Sequence, residues 1–368
     1  MKKIFLSILL MVFICTAKAE ALDLSAECAC VIIAQTGECI FSKNADKTHS
    51  VASTTKIMTA ITAIEEGNIQ EVVSVSANAA SQEGSSIYLR AGNRINLLDL
   101  IYGMMLNSGN DAACAVAEHI GGDVESFAVL MNEKAKKAGA KNTSFKNPSG
   151  LDEEGHFSTA EDMARITAYA LKNELFSNIV STKNAQIKVG EDICYLKNHN
   201  KMLWNYDGCI GVKTGYTKKT GRCLVSAAEK DGITLIAVTL GAPDDWCDHE
   251  KMLDYGFANT ELKTIVEKGE KLKNITGDGY SLNAVAGKSV KIPAKKNSRL
   301  KSEIILHTVK KPTLEIMKGE KIGYAEIMCG GKSVTQIDLT ADRTAFPEKK
   351  EGFFLTIFRM IKKLLLKE

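Results

Sequence analysis

The chain is organised around one stretch of nine residues, Ala52-Ser53-Thr54-Thr55-Lys56-Ile57-Met58-Thr59-Ala60. It holds a serine, a lysine three residues later, and an apolar run that continues to Ile64. A helix that opens at the serine and runs to about Gly67 places both side chains on one face, about one turn apart. The stretch therefore predicts a buried helix that carries a hydroxyl and an amine within hydrogen-bond reach.

Such a pair can form a nucleophile and its base. A serine hydroxyl is a weak nucleophile until a base takes its proton, and a lysine amine takes it only in the neutral form. Burial lowers a lysine pKa by up to several units, each worth about 1.4 kcal/mol, and Ile57, Met58, Ile61 and Ile64 supply apolar surroundings. An isolated S-x-x-K is more often a capping serine with a solvated lysine, and Ser298-Arg299-Leu300-Lys301 fits the pattern too. The pair needs partners before it indicates chemistry.

The composition is that of an ordinary globular protein, with 368 residues, 45% hydrophobic and 25% charged, which is enough for two domains. The formal charge of +3 comes from residues 1–19, which contain Lys2, Lys3 and Lys18 and no acid. The rest of the chain balances 44 basic residues against 44 acidic ones. This neutrality argues against nucleic acid as a main partner.

Residues 1–19 have the pattern of a secretory signal. Lys2 and Lys3 form a basic head, residues 4–15 an apolar stretch, and Ala17-Lys18-Ala19 a small-x-small cleavage site. The alternative, a retained membrane helix, is disfavoured because the apolar run is short for spanning. We therefore expect an exported protein.

Ten cysteines in an exported chain suggest disulfides, but the signal takes one and leaves an odd nine. No CxxC occurs, and Cys28 and Cys30 would share one face of a strand. The six histidines are scattered without metal-ligand spacing. We expect mostly buried thiols, with one or two bridges left open, and neither a metal site nor a cofactor.

The pattern of elements predicts an α+β fold. The predicted elements are a hairpin over 28–43, helices over 53–67, 97–106, 111–120, 123–138 and 158–173, and strands over 209–213, 222–228 and 233–240. Ser158-Thr159-Ala160-Glu161 is a capping box that opens the last helix, and Lys230-Asp231-Gly232 joins the last two strands. Strands at both ends of this region predict one antiparallel sheet, closed by its first and last segments, with a helical subdomain inserted.

The character of the chain changes twice after this region. From Glu261 short β-like runs alternate with glycine and lysine, which predicts a small β-sandwich domain over 261–346. Over 347–368, most apolar side chains fall on one arc at about 100° per residue, and the basic ones fall on the other. A basic amphipathic helix with aromatic residues is typical of one that lies in a membrane surface, and the alternative is a helix packed on its own domain.

Two further motifs join the serine–lysine pair. Ser108-Gly109-Asn110 interrupts a helical pair 55 residues after Ser53, and Lys213-Thr214-Gly215 ends a hydrophobic strand 105 residues later. Each is common alone, and Lys219-Thr220-Gly221 duplicates the second. Only their order, spacing and context together make the combination specific.

Together these motifs resemble the S-x-x-K, S-x-N and K-T-G set of the penicillin-recognising serine enzymes. Longer blocks are similar to the serine D-alanyl-D-alanine carboxypeptidases of peptidase family S11, the low-molecular-mass penicillin-binding proteins. These blocks are Ala52 to Ala60 as quoted above, Met105-Leu106-Asn107-Ser108-Gly109-Asn110-Asp111-Ala112-Ala113, Asn147-Pro148-Ser149-Gly150-Leu151, Phe157-Ser158-Thr159-Ala160-Glu161-Asp162-Met163-Ala164 and Gly211-Val212-Lys213-Thr214-Gly215-Tyr216-Thr217. The resemblance covers roughly residues 28–258, and it identifies Lys213 as the functional lysine because Thr220-Gly221-Arg222-Cys223-Leu224-Val225 matches the following strand.

The resemblance implies a β-lactamase/transpeptidase-like domain over residues 20–260, followed by the small β domain and an amphipathic anchor. The sequence departs from the family pattern at two positions. Tyr216 stands where some members carry histidine. In Asn198-His199-Asn200, His199 stands where some members carry an arginine that they use near the substrate carboxylate.

The resemblance also implies the site and the reaction. The implied catalytic residues are Ser53, Lys56, Ser108 and Asn110, and the implied substrate-binding residues are Lys213, Thr214, Gly215 and Tyr216. Ser53 attacks a peptidoglycan stem peptide that ends in D-Ala-D-Ala, Lys56 takes its proton, and the terminal D-alanine leaves from an acyl-enzyme that β-lactams trap. The expected place is the outer face of the cytoplasmic membrane, and the expected role is peptidoglycan remodelling and cell shape.

Two rivals have different functions. A class A β-lactamase carries aspartate where this chain has Gly109, and it needs a Glu-x-x-Leu-Asn loop that the sequence does not contain. A non-catalytic wall-binding protein would not need the intact nucleophile, base and relay. Endopeptidase or transpeptidase activity on cross-linked wall stays open within the same chemistry.

Overall fold

The computed structural model describes residues 22–277, 280–308 and 315–346, together with 357, 361 and 362. The predicted export signal at 1–19 and nearly all of the predicted anchor at 347–368 lie outside these residues. Within the described part, no helix is both long and apolar enough to cross a membrane.

The first part of the chain alternates short strands with helices. Its elements are β1 (Cys28–Ile33), β2 (Cys39–Lys43), a 3₁₀ turn (Ala52–Thr55), α1 (Lys56–Glu66), β3 (Val72–Ser74), α2 (Ala77–Ala80), β4 (Arg94–Asn96), α3 (Leu97–Leu106), α4 (Asn110–Gly121), α5 (Val124–Ala138), α6 (Ala160–Ala170), α7 (Glu174–Ser181), β5 (Asn184–Val189), β6 (Asp192–Lys197), α8 (Met202–Asn205), β7 (Cys209–Thr217), β8 (Gly221–Lys230), β9 (Ile233–Leu240) and α9 (Asp245–Ala258).

A five-stranded antiparallel sheet, in the order β2-β1-β9-β8-β7, joins the two ends of this part. The helices α1 to α8 come between β2 and β7 in the chain, so the predicted sheet closed by its first and last segments is confirmed. Side chains alternate between the two faces of a strand, and in β1 both faces are buried. Cys28, Cys30 and Ile32 join the cluster on the helical side, as predicted for the two cysteines, whereas Ala29, Val31 and Ile33 join the cluster that includes residues of α9.

The bounds of α3 and α5 match the prediction to within one residue. The helix predicted over 97–106 is α3 itself, and α5 starts after Asp123, whose side chain accepts a hydrogen bond from the backbone N–H of Ser126. The capping box is shifted by one residue. Thr159, not Ser158, caps α6, and it accepts from the N–H of Asp162.

The described cysteines, nine in number, are all free thiols, so neither bridge left open by the sequence forms among them. Most are buried or half-buried, as predicted, whereas Cys39 is exposed.

The described residues between 260 and 346 form strands and turns without a helix, as predicted. The strands are β10 (Thr260–Val266), β11 (Lys271–Gly277), β12 (Tyr280–Ala286), β13 (Val290–Lys295), β14 (Ser302–Thr308), β15 (Lys321–Cys329) and β16 (Lys332–Ala341). The ladder β10-β13 and the sheet β11-β12-β16-β15-β14 share one hydrophobic cluster, in which Ile292 of β13 lies with Leu282, Ile327 and Leu339 of the larger sheet. Two sheets thus share one core, and the sandwich and the domain boundaries stay a prediction.

Candidate active site

The predicted nucleophile lies in the 3₁₀ turn that precedes α1. Ala52, the first residue of this turn, has a φ of +45°, a left-handed conformation that is costly for a residue with a Cβ. Ser53 is half-buried, and Lys56 is the first residue of α1. The helix therefore begins three residues later than predicted. The spacing still works, because in a 3₁₀ turn residues i and i+3 lie on the same side.

The Lys56 amine is completely buried and has three oxygen neighbours. Its Nζ lies 3.0 Å from Ser53 Oγ, 2.7 Å from Asn110 Oδ1 and 2.6 Å from the carbonyl oxygen of Ser149. Sequence reasoning found three of these four residues. It missed Ser149 as a site residue because the contact uses a backbone oxygen, which any residue type supplies.

Burial strongly disfavours a charge at this position. It lowers the pKa of Lys56 well below its usual value, the nearby Lys213 lowers it further, and Asp111 opposes the shift. The geometry therefore favours a neutral amine next to the serine hydroxyl.

A second buried lysine faces the turn between α3 and α4. Lys213 Nζ donates to Ser108 Oγ at 3.1 Å and to the carbonyl oxygen of Thr214 at 3.0 Å. Burial lowers the pKa of Lys213 to about 7. Ser108 has a φ of +63°, so the turn that presents its hydroxyl is strained.

Asn110 is placed differently from the substrate contact that the sequence predicts. Its Oδ1 accepts from Lys56, its Nδ2 donates to the carbonyl oxygen of Glu83, and 4% of the residue is exposed. Both ends of the carboxamide are thus used inside the protein. The neighbouring Asp111, which the sequence analysis did not select, accepts from the backbone N–H groups of Ile87 and Leu89 and so fixes the start of α4.

The loop that supplies the Ser149 oxygen is packed against the nucleophile turn. Gly150 has a φ of +83°, and a Cβ there would lie 1.9 Å from the carbonyl oxygen of Ala52, so only glycine fits. His156 Nδ1 accepts from the N–H of Lys146, which assigns the proton to Nε2, 2.8 Å from Thr55 Oγ1. Burial lowers the pKa of His156 to about 4, so this support is a neutral histidine.

Strand β7 runs along the other side of the turn. A Cβ at Gly215 would lie 3.0 Å from the backbone nitrogen of Ser53, so the strand backbone packs directly on the nucleophile. Tyr216 follows with 65% of its surface exposed. Lys219 of the second K-T-G motif is exposed at the turn after this strand. Ser298 of the second S-x-x-K motif lies in the C-terminal β region, so neither of these motifs reaches the site.

A cleft of about 350 Å³ opens at this place. It is lined by Ser53, Ser85, Ser108, His199, Lys201, Thr214, Gly215, Tyr216, Arg222, Asp245 and Trp246. The buried Lys56, Asn110 and Lys213 contact this lining, so all eight predicted residues are brought together. A larger cavity of about 920 Å³ touches the site only at Ser149, and we favour the cleft because it contains the serine nucleophile.

The sequence analysis did not select Arg222, which is the most important cleft residue that it missed. Its Nε and Nη2 donate to Asp245 Oδ1 at 2.9 and 2.7 Å, and its guanidinium lies 5.6 Å from the Trp246 ring. Arg222 pairs directly with Tyr216 across β7 and β8, so it shares one face with Tyr216 and with Thr214, two residues earlier. The cross-strand register was the only signal that could have found it.

Among the described residues, no group of three or more histidine, cysteine, aspartate or glutamate side chains is placed to hold a metal ion. The chemistry that the arrangement supports is nucleophilic acyl transfer by a serine.

Comparison with known proteins agrees with this chemistry. The family profile described as D-alanyl-D-alanine carboxypeptidase matches residues 15–244, and the profile of the penicillin-binding protein 5 C-terminal domain matches residues 261–345. The chain is 34% identical to D-alanyl-D-alanine carboxypeptidase DacF of Bacillus subtilis over 91% of this chain and 88% of that protein. It is 32% identical to DacC of Escherichia coli, over 86% and 83%.

Solved structures agree as well. Penicillin-binding protein 5 from Haemophilus influenzae superposes with a TM-score of 0.65 and 28% identity, over 87% of this chain and 97% of that one. The Streptomyces K15 DD-transpeptidase gives 0.60 and 33%, over 64% and 98%. The predicted transpeptidase-like α+β fold is therefore confirmed, and the chain belongs to the D-alanyl-D-alanine carboxypeptidases of peptidase family S11.

Proposed function

We propose that this protein is a serine D-Ala-D-Ala carboxypeptidase of peptidoglycan metabolism, which removes the terminal D-alanine from stem pentapeptides through an acyl-enzyme. The observation that carries the proposal is the buried Lys56 amine 3.0 Å from Ser53 Oγ, with a second buried lysine, Lys213, 3.1 Å from Ser108 Oγ. Family membership supports the same reaction.

Lys56 is the base that activates Ser53. A neutral amine has two N–H groups and one lone pair. Asn110 Oδ1 and the Ser149 carbonyl oxygen can only accept, so they take both N–H groups and leave the lone pair for the Ser53 hydroxyl. The role of Asn110 is therefore to orient Lys56, in addition to any contact with the substrate.

Ser108 returns the proton to the leaving D-alanine. Its hydroxyl is held by Lys213, whose positive charge also disfavours protonation of Lys56. The backbone N–H groups of Ser53 and Tyr216 form the oxyanion hole, in which each donor contributes roughly 3–4 kcal/mol to the transition state. The close packing of Gly215 on Ser53 supports this pairing.

The terminal carboxylate of the substrate binds to Thr214 and Arg222. Lys213, to which the sequence assigned this contact together with Thr214, is 1% exposed and already donates to Ser108. Arg222 instead lines the cleft on the same face as Thr214, and Asp245 and Trp246 hold its guanidinium in place. A bound β-lactam uses the same contacts through its own carboxylate and traps the acyl-enzyme, because its leaving amine stays tethered.

The proposal includes a location. Residues 1–19 direct export, and residues 347–368 anchor the enzyme peripherally at the outer face of the cytoplasmic membrane, where it contributes to wall remodelling and cell shape. The support is the sequence pattern alone. Sedimentation of the full chain with anionic vesicles, but not of a chain that ends at residue 346, is the expected result. Equal sedimentation of both would overturn the anchor.

The function is tested with two peptides that differ only in their last residue, D-Ala-D-Ala and D-Ala-L-Ala. We expect released alanine from the first peptide alone and none from a Ser53→Ala variant. Release from both peptides, or from the variant, would contradict the proposal. Fast nitrocefin turnover without a trapped acyl-enzyme would indicate a β-lactamase instead.

A further inference from the structure

The second K-T-G motif lies outside the cleft, yet its threonine, Thr220, is only 3% exposed and is surrounded by hydrogen-bonding side chains. Its Oγ1 lies 2.7 Å from Ser50 Oγ, 3.2 Å from Asp152 Oδ1 and 2.9 Å from Thr217 Oγ1. Ser50 Oγ in turn lies 3.2 Å from the same Asp152 oxygen. We call these four residues, Ser50, Asp152, Thr217 and Thr220, the hydroxyl clasp.

The hydrogen bonds of the clasp run in one direction. Each hydroxyl group has a single O–H to donate. Thr217 Oγ1 accepts from the backbone N–H of Thr220 and donates to Thr220 Oγ1. Thr220 donates to Ser50, and Ser50 donates to Asp152 Oδ1. The chain therefore ends on a carboxylate, a strong acceptor, and its members polarise one another, so the loss of one member weakens the others.

Two members of the clasp belong to segments that build the nucleophile and its base. Ser50 comes three residues before the nucleophile Ser53. Asp152 comes three residues after Ser149, whose carbonyl oxygen accepts from Lys56 at 2.6 Å. The bond between Ser50 and Asp152 therefore joins the nucleophile turn to the loop that orients the base.

The other two members fix the end of strand β7. Thr217 is the last residue of β7 and directly follows Tyr216, whose backbone N–H we assign to the oxyanion hole. Among the described strands, β7 lies at the edge of its sheet, so only β8 pairs with it. Thr220, in the turn to β8, connects this free edge to Ser50. The position of the Tyr216 N–H relative to the nucleophile turn thus depends on the clasp as well as on the sheet.

The clasp acts through position rather than through contact with the substrate, because none of its four members lines the cleft. We propose that it holds the oxyanion hole, the nucleophile turn and the Ser149 oxygen in their reactive geometry, so that Thr220 and Asp152 are positioning residues for acyl transfer. The inference rests on the proposed function, because it assigns the clasp to the same acylation step. A misplacement of about 1 Å at the reacting groups can cost roughly 100-fold in rate.

The test uses variants that remove or keep one hydrogen-bonding group. Thr220→Val and Asp152→Ala break the chain, whereas Thr220→Ser keeps the hydroxyl and Asp152→Asn keeps the Oδ1 acceptor. The matched control is Thr167→Val, because Thr167 is also buried and donates to the carbonyl oxygen of Met163 inside α6. For each variant, kcat and KM are measured on a D-Ala-D-Ala peptide, together with the rate of acylation by a fluorescent penicillin and the melting temperature.

We expect Thr220→Val and Asp152→Ala each to lower kcat and the acylation rate about tenfold at an unchanged KM, since the clasp affects the transition state. Thr220→Ser and Asp152→Asn should stay within about twofold of the wild type. The double variant, Thr220→Val with Asp152→Ala, should lose little more than either single one, because both break the same chain. Thr167→Val should lower the melting temperature and keep the wild-type kcat.

An unchanged kcat in Thr220→Val, a loss that Thr220→Ser does not restore, or an equal loss in Thr167→Val would overturn the proposal. The peptide and the penicillin separate this result from that of the proposed function. A wild type that is acylated but releases no alanine overturns the carboxypeptidase, and the acylation rates alone then decide on the clasp. A wild type that the penicillin does not acylate overturns both.

Discussion

Replacing Arg222 by glutamine tests how the enzyme recognises a free C-terminus. Arg222 lines the cleft with a half-exposed guanidinium that Asp245 orients through two hydrogen bonds. A hydrogen bond to a charged group contributes about 1.5–3 kcal/mol, which is about a 10- to 150-fold change in kcat/KM. The Arg222→Gln enzyme should lose this factor on a peptide acid and almost nothing on the corresponding peptide amide, which lacks the terminal charge.

The assay is the ratio of kcat/KM for the acid to that for the amide. Because Asp245 is 3% exposed and burial raises its pKa, removal of Arg222 alone leaves a buried carboxyl without its partner. The double variant Arg222→Gln with Asp245→Asn removes this effect on stability. If either variant keeps the wild-type ratio of acid to amide, Arg222 does not bind the carboxylate and the argument is wrong.

Three further perturbations test the supports of the site. Lys213→Gln removes a like charge that lowers the pKa of Lys56, so the acidic limb of the pH profile for penicillin acylation should move to higher pH; an unchanged limb contradicts the coupling. Because burial lowers the pKa of His156 from 6.5 to about 4, its contribution to stability, about 3 kcal/mol, should be lost as pH falls from 6.5 towards 4 and then level off. Urea unfolding at pH 7 and pH 4 should show a smaller drop for His156→Gln than for the wild type, and equal drops would refute this. Gly150→Ala should cost more than about 2 kcal/mol and slow acylation, because its Cβ would lie 1.9 Å from the Ala52 carbonyl oxygen; a wild-type melting temperature and acylation rate would show that the loop can shift.

Much of the fold follows from local patterns that the tertiary structure does not override. Helix α3 and strand β9 have the predicted bounds, because a largely apolar segment ends at a turn in each case. Strand β7 is longer than predicted, since Thr214 to Thr217 continue it with a β8 partner at each position. Pairing with β8 sets the C-terminal end of β7, and the sequence of β7 alone does not show this pairing.

The residues of the site also divide into those that the sequence predicts and those that it does not. Ser53, Lys56, Ser108 and Lys213 were predicted because their chemistry lies in their side chains and in motif spacing. The Ser149 oxygen belongs to a backbone, so its residue type carries no signal. The place of Asn110 depends on the Glu83 carbonyl oxygen, which comes from a loop that the sequence analysis did not treat.

The central claim is that Ser53 is the nucleophile and the buried, neutral Lys56 is its base. The most direct measurement is mass spectrometry of peptides from the enzyme labelled with a penicillin, for the wild type and for Lys56→Gln. We predict one acylated residue, Ser53, and a strongly reduced acylation rate in the variant at every pH. Acylation of any other residue, or a wild-type rate in Lys56→Gln, would contradict the account.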